Sequence, residues 1–429
     1  MSVYARGIVI FLAILAWGGL PSVKAQAPAA GFTLPQLVDM AMSANPRLRA
    51  GRGKWDAARE RPAQAGALAN PTFTYKGMDG TSIGNFPNTE EKRFEVQQAF
   101  PWFGKRVLRE RVADQDARVL EQDYGALVRE TVREVKETYY ELRALRQVMT
   151  ITRAEADVLQ KLEAVVQTVY ASGKAPQVDV LKVQAEQTML SQQLLELETR
   201  DNALQSKLNV LMDRDPGAPL ALALTRNPFA GAPESTLDQL LGLAARQRPE
   251  IGRAQAELEG ARAGRRLMAR EYFPDYSLGL EYRSYRDSPD MAMFMIGVDL
   301  PVWQGKYRAG VREAEKITAA NEAALSAVQN QVRQEVQQAQ VNLGKARQSL
   351  QLYQQALIPQ AVARFNASEA GYRTGQVGFI DLLESERFLL NARSMTALAE
   401  GNVGVQLARL EQAVGGSLQT NAVPGGTSQ

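Results

Sequence analysis

The chain has no histidine and no cysteine in 429 residues. That removes the usual general base, the Ser–His and Cys–His nucleophile pairs, ordinary zinc sites and every disulfide. No P-loop GxxxxGK[ST] occurs, and no GxGxxG follows a strand pattern. Nothing asks for a cofactor, and no carboxylate spacing asks for an enzyme. Long apolar runs are also missing. The only one, Ile8 to Trp17 after Arg6, is too short to span a bilayer. With Gly18-Gly19, Pro21 and the A-x-A-like Val23-Lys24-Ala25, it reads as a secretory signal peptide over residues 1–25. Removing Arg6 and Lys24 takes two cations from a net charge of +3 and leaves +1, so no basic bias toward nucleic acid remains. If such a chain spans a membrane, it does so with β-strands.

What is present is one unit written twice. Thr33-Leu34 recurs as Thr236-Leu237, Pro46 as Pro249, Arg59 as Arg262 and Pro71 as Pro274, all at one constant offset. Gly104-Lys105 recurs as Gly305-Lys306, and Tyr170, Gly173 and Asp179 recur as Tyr372, Gly375 and Asp381, at nearly the same offset. The period is far longer than that of a solenoid, so this is a tandem duplication. The reading divides the mature chain into a first repeat at 26–212, a Pro/Gly/Ala-rich linker at 213–235, a second repeat at 236–414 and a flexible Gly/Ser/Thr-rich tail at 415–429.

Each repeat follows one order: a shorter helical region, two strands, a very long helix, a tight turn and a long return helix. Helical pattern over 34–68 stops at Asn70-Pro71. Thr72 to Lys76 and Arg93 to Gln97 then alternate polar and apolar between turn residues, which is the strand signature. From Lys105 to Tyr170 there is no proline and one glycine, and Val128, Val132, Val135, Tyr139 and Leu142 step as a heptad seam. That run is about 100 Å of helix, longer than any globular core. In the second repeat Tyr276, Leu278, Leu280 and Tyr282 share one strand face, aromatic at both ends, as on an outer-membrane strand. Met291 to Leu300 is its partner. Lys306 to Gly371 is the second long helix, with a kink expected at Pro359.

Four membrane strands per chain cannot close a barrel, because open edges cannot face lipid. Two chains would close eight strands around a filled interior; three would close twelve around a lumen. The expected fold is therefore mainly α with a β-barrel part. Duplicated long antiparallel helices form an α-helical barrel continuous with a trimeric 12-stranded outer-membrane barrel.

The chain resembles the TolC-like outer membrane factors. The residues that carry the resemblance are Leu34 to Pro46 (LPQLVDMAMSANP), Asn70-Pro71, and the two tips. The tips run from Tyr170 through Gly173 to Asp179, and from Tyr372 through Gly375 to Asp381. The resemblance implies a homotrimeric exit duct of tripartite efflux or type I secretion, in the outer membrane and reaching into the periplasm. It implies a periplasmic adaptor and an inner-membrane pump of the resistance-nodulation-division type as partners. The segment Gln98 to Lys105 (QAFPWFGK) is similar to the form common in heavy-metal efflux ducts. A trimeric coiled-coil surface stalk or adhesin is the alternative, although it would need no paired amphipathic strands in both halves.

The resemblance also assigns sites. Asp381 and Glu384, one helical turn apart, match two acidic positions lining the periplasmic entrance. Asp179 matches an acidic residue that latches a neighbouring tip. The matching basic position here is Val377, a departure that leaves Arg373 as the nearest substitute. Tyr170, Gly173, Ala175, Tyr372, Arg373, Gly375 and Gly378 form the adaptor-docking tips, with Ala175 and Gly378 leaving a shallow groove. Finally, Met291, Met293 and Met295 share one strand face, and thioethers are soft ligands suited to Cu(I). Methionine is also ordinary apolar filling, and no second soft-ligand cluster accompanies these three.

Overall fold

A computed structural model describes residues 31–78, 91–173, 176–223 and 235–418. The signal-peptide segment, most of the linker's second half, Lys174-Ala175 and residues 419–429 lie outside them. Three short helices open the chain: α1 (Leu34–Ala44), α2 (Pro46–Arg59) and α3 (Arg61–Ala65). Strands β1 (Thr72–Met78) and β2 (Glu91–Phe100) precede α4 (Lys105–Ala171) and α5 (Gln177–Leu211). The order repeats as α6 (Leu237–Gln247), α7 (Pro249–Arg270), β3 (Asp275–Tyr285), β4 (Met291–Asp299), α8 (Gln304–Leu352), α9 (Ile358–Arg373) and α10 (Phe379–Val414).

The same local devices start both halves. The Thr33 backbone N–H donates to Gln36 Oε1 at 2.9 Å, and the Thr236 N–H donates to Gln239 Oε1 at 3.0 Å, a capping box in each case. The expected single helix over 34–68 is broken at Asn45, because Pro46 cannot donate to the preceding turn. Asn45 instead caps α2, accepting from the Arg47 N–H at 2.8 Å. The kink expected at Pro359 is a π turn at Tyr353–Leu357. The proline ring removes one backbone donor and crowds the carbonyl four residues back, and a wider turn relieves both. Residues 415–418, expected in the flexible tail, are held. Gly415 ends α10 at φ 85°, and the Leu418 N–H donates to Glu411 Oε1 at 3.2 Å.

The four strands form one antiparallel sheet in chain order, with β2 and β3 joining the two halves. Among the described residues the outer edges of β1 and β4 have no strand neighbour. At the junction of sheet and helices, Lys105 is 2 % exposed. Its Nζ lies 2.8 Å from Asp275 and 3.2 Å from Glu271, and it donates to the Phe273 carbonyl at 3.0 Å. A buried ammonium is tolerated only with such a set of acceptors. Its counterpart Lys306 is exposed and stands 5.7 Å from the centre of the Tyr307 ring.

The helices make two hairpins, α4 with α5 and α8–α9 with α10, joined where α10 packs on α4. The heptad seam is buried from Val135 onward through Tyr139 and Leu142, while Val128 and Val132 are half-buried. Glycine sets the closeness of α10 to α4. A Cβ on Gly404 would lie 2.4 Å from Tyr140 Cγ, and one on Gly401 would lie 2.5 Å from the Ala144 Cβ. Gly404→Leu should therefore destabilise the fold by about 1–3 kcal/mol or more, read as a drop in the thermal midpoint of the purified protein. Gly242→Ala, where an added Cβ meets nothing within 4 Å, should leave it unchanged or slightly raised.

Candidate channel faces and periplasmic tips

Side chains alternate across a strand, so the register sorts the sheet into two faces. On one face Phe73 pairs with Val96, Tyr75 with Phe94, Leu280 with Phe294, Leu278 with Ile296 and Tyr276 with Val298. These are apolar throughout, yet Phe73 is 65 %, Phe294 67 % and Ile296 68 % exposed. Aromatic pairs bracket the face, with Phe100 stacked on Tyr276 at 5.4 Å and Tyr75 beside Phe94 at 5.2 Å. The opposite face carries charge. Lys76 pairs with Glu95 at 3.1 Å, Arg93 pairs with Glu91 at 2.8 Å, and the buried Glu281 is bonded to Arg283. Met291, Met293 and Met295 stand on this polar face, opposite Arg283, Glu281 and Gly279. A row of three thioethers is exceptional there. Among the described residues no group of three or more acidic side chains could hold a metal ion.

At the far end of the long helices the two tips reverse the chain in the same way. Gly173 and Gly375 both have φ 74°, the left-handed region where a side chain is strained. The Gly173 N–H donates to the Tyr170 carbonyl at 2.9 Å, and the Gly375 N–H donates to the Tyr372 carbonyl at 3.1 Å. In tip two the Gln376 and Val377 N–H groups both reach the Gly371 carbonyl, and a Cβ on Gly371 would collide with Val377. Tyr372 meets Phe379 edge to face at 6.0 Å, whereas Tyr170 is exposed. Gly378 has an ordinary φ of −72°, and a Cβ there meets nothing nearer than Asp381 Oδ2 at 3.5 Å. Ala175 lies outside the described residues. Beneath the tips, Leu159, Val166, Val183, Leu190, Phe379 and Leu383 form a small apolar core.

Asp381 and Glu384 are both exposed on the first turns of α10, while Leu382 and Leu383 beside them are buried. One helix face thus presents two carboxylates and the next holds the core. Asp179 is half-buried, 3.8 Å from Lys182. It also helps to raise the Tyr372 hydroxyl pKa, after burial, which is the larger cause. Arg373 is paired with Glu369 at 2.6 Å, one turn back on its own helix. Within one chain, then, Asp179 and Arg373 each have another partner.

Two residues that sequence reasoning passed over stand out just above the tips. Glu155 on α4 and Glu386 on α10 are 7 % and 5 % exposed, and they stand close enough across the packed helices for the charge of Glu386 to add to the rise that burial imposes on the Glu155 pKa. The signal was available. Thr152, Glu155, Leu159, Leu162 and Val166 step as a seam, as do Phe379, Leu382, Glu386 and Leu389, so both acids occupy apolar register positions.

A sheet with one apolar and one charged face, continued by paired helices of some 67 residues in the case of α4, is the anatomy of a membrane duct. The sequence model of the family "Outer membrane efflux protein" matches residues 37–211 and again 240–416, and the chain belongs to that family. It is an outer-membrane efflux channel that extends into the periplasm. The surface-stalk alternative falls with that assignment.

Among its relatives is the cobalt-zinc-cadmium resistance protein CzcC of Cupriavidus metallidurans, 24 % identical over 370 residues, covering 84 % of this chain and 85 % of CzcC. TolC of Vibrio cholerae is 24 % identical over 317 residues, covering 71 % of this chain and 72 % of TolC. Of the solved structures, CusC superposes with a TM-score of 0.79 at 19 % identity, over 90 % of this chain and 92 % of that one. The Campylobacter jejuni CmeC channel superposes with a TM-score of 0.75 at 15 % identity, over 97 % and 95 %.

Proposed function

We propose that three copies of this chain close a twelve-stranded barrel and form the passive exit duct of a tripartite efflux system. The duct docks to a periplasmic adaptor and an inner-membrane pump of the resistance-nodulation-division type. The two-faced sheet with two open edges carries this reading. Strand directions alternate, so β4 of one chain runs antiparallel to β1 of the next, and only closure removes the edges. The exposed apolar face then meets lipid and the charged face, with its methionines, lines water. Exposed apolar side chains along the helices, among them Val158, Val165, Leu181, Met189, Leu195 and Leu398, support burial against neighbouring copies.

At the periplasmic end, Asp381 and Glu384 ring the entrance, and three-fold repetition brings six carboxylates toward the axis. Asp179 belongs to the same constriction. The tips around Tyr170, Gly173, Ala175, Tyr372, Arg373, Gly375 and Gly378 receive the adaptor. Heavy-metal cations are the cargo this reading favours, supported by the likeness to CzcC and by the QAFPWFGK segment at 98–105.

Purified protein added to planar bilayers should give discrete conductance steps, and chemical cross-linking should stop at a trimer. Stable dimers, or bilayers that stay silent with correctly folded protein, would overturn the reading. A strain lacking the chain should lose tolerance to metal cations; unchanged tolerance would remove the cargo assignment alone.

A further inference from the structure

The Glu155–Glu386 pair has no place in passive conduction, yet it sits where α10 rests on α4, just above the apolar core of the tips. Two buried carboxyls can hydrogen-bond only if one keeps a proton. Burial pushes Glu155 up to about 8, with the charge of Glu386 adding to the effect. Burial raises Glu386 too, while the hydrogen bond it receives from Glu155 works against that rise. Burial thus favours keeping a proton on the pair, which the two carboxyls share.

Little around it can compensate a second charge. From α10, Arg393 faces the pair but is exposed. From α9, Glu369 adds negative charge and is itself tied to Arg373 at tip two. From α5, Glu186 is committed to Arg387, and Glu198 to Arg153 of α4 at 3.0 Å. The nearby buried hydroxyls are spent on their own helices, Thr152 on the Val148 carbonyl and Ser385 on the Leu382 carbonyl.

We propose that this carboxyl pair is a proton-dependent clamp on the periplasmic end of the duct. The shared proton holds α10 against α4, and its loss drives the two helices apart. The inference rests on the entrance assignment above, since Asp381 and Glu384 lie on the same turns of α10 as Glu386. The sign follows from linkage. The packed arrangement holds its proton up to about pH 8, whereas a separated, hydrated glutamic acid titrates near 4.5. Between these limits the packed state binds more protons, so raising the pH shifts the balance toward separation by about tenfold per unit for each extra proton it holds. Below and above that window the pair contributes no pH dependence.

The test uses the whole channel in planar bilayers at constant salt, from about pH 5 to pH 9. Open probability of the wild type should rise across the window. Glu155→Gln keeps a permanent donor toward Glu386, and Glu386→Gln removes the repelling charge. Both should stay closed and flat in pH, with trimers intact on native gels, and either variant suffices if the other fails to assemble. A flat wild-type profile overturns the clamp, as does an assembled Gln variant that keeps the wild-type slope. A wild type that never conducts would instead count against the duct reading.

Discussion

Replacing Gly378 with tryptophan should abolish efflux in cells while leaving assembly and single-channel conductance intact. The backbone there has an ordinary φ and an added Cβ meets nothing closer than 3.5 Å, so the fold does not require glycine. What the bulky ring would cover is the surface beside tip two where the adaptor is proposed to seat. Losing a docking surface removes the pump from the duct without touching the duct. The expected loss of metal tolerance is complete, against near-normal conductance in bilayers. Gly375→Trp is the contrasting variant. At φ 74° it strains the turn itself, so assembly and conductance should suffer along with efflux. Full tolerance with Gly378→Trp would move docking elsewhere.

The second large effect concerns permeation. Asp381→Asn with Glu384→Gln should abolish block of the channel by multivalent cations applied from the periplasmic side. The six carboxylates of the proposed ring would bind such cations strongly. Neutralisation removes the site but keeps the shape, because both side chains are exposed and the core beside them is formed by Leu382 and Leu383. Block that persists with unchanged affinity would reject the entrance assignment. The bland alternative, acids favoured at a helix N-terminus by its dipole, predicts a modest loss of stability and no change in block.

Much of the fold was legible because its periodicities are long. The seam from Val135 to Leu142, strand alternation in Tyr276 to Tyr282 and the paired tips at Gly173 and Gly375 each repeat a local rule, and the structure follows them. Legibility failed where tertiary geometry decides. Nothing local says that the helix pattern over 34–68 should yield to a cap at Asn45, or that Pro359 is absorbed by a π turn rather than a sharp kink. Lys105 was visible as half of a repeated Gly-Lys pair. Its burial among Glu271, Asp275 and the Phe273 carbonyl depends on a strand some 170 residues away. The Glu155–Glu386 pair was overlooked for a different reason. Acids scattered on helices ordinarily face water, and only placing both in seam register separates these two from the rest. The docking and entrance residues were assigned by resemblance, and periodicity alone would not have found them.

The two open edges of the sheet carry a genetic consequence. The proposed ring of three would be only as sound as its least competent member, because every chain must offer both β1 and β4 for the circle to meet. A lesion confined to the pairing edge of one strand leaves that chain able to join through its other edge and so to spoil the ring it enters. With intact and damaged chains made in equal amounts, about one ring in eight would be free of damage. Lesions along the β1 and β4 edges should therefore be inherited as dominant.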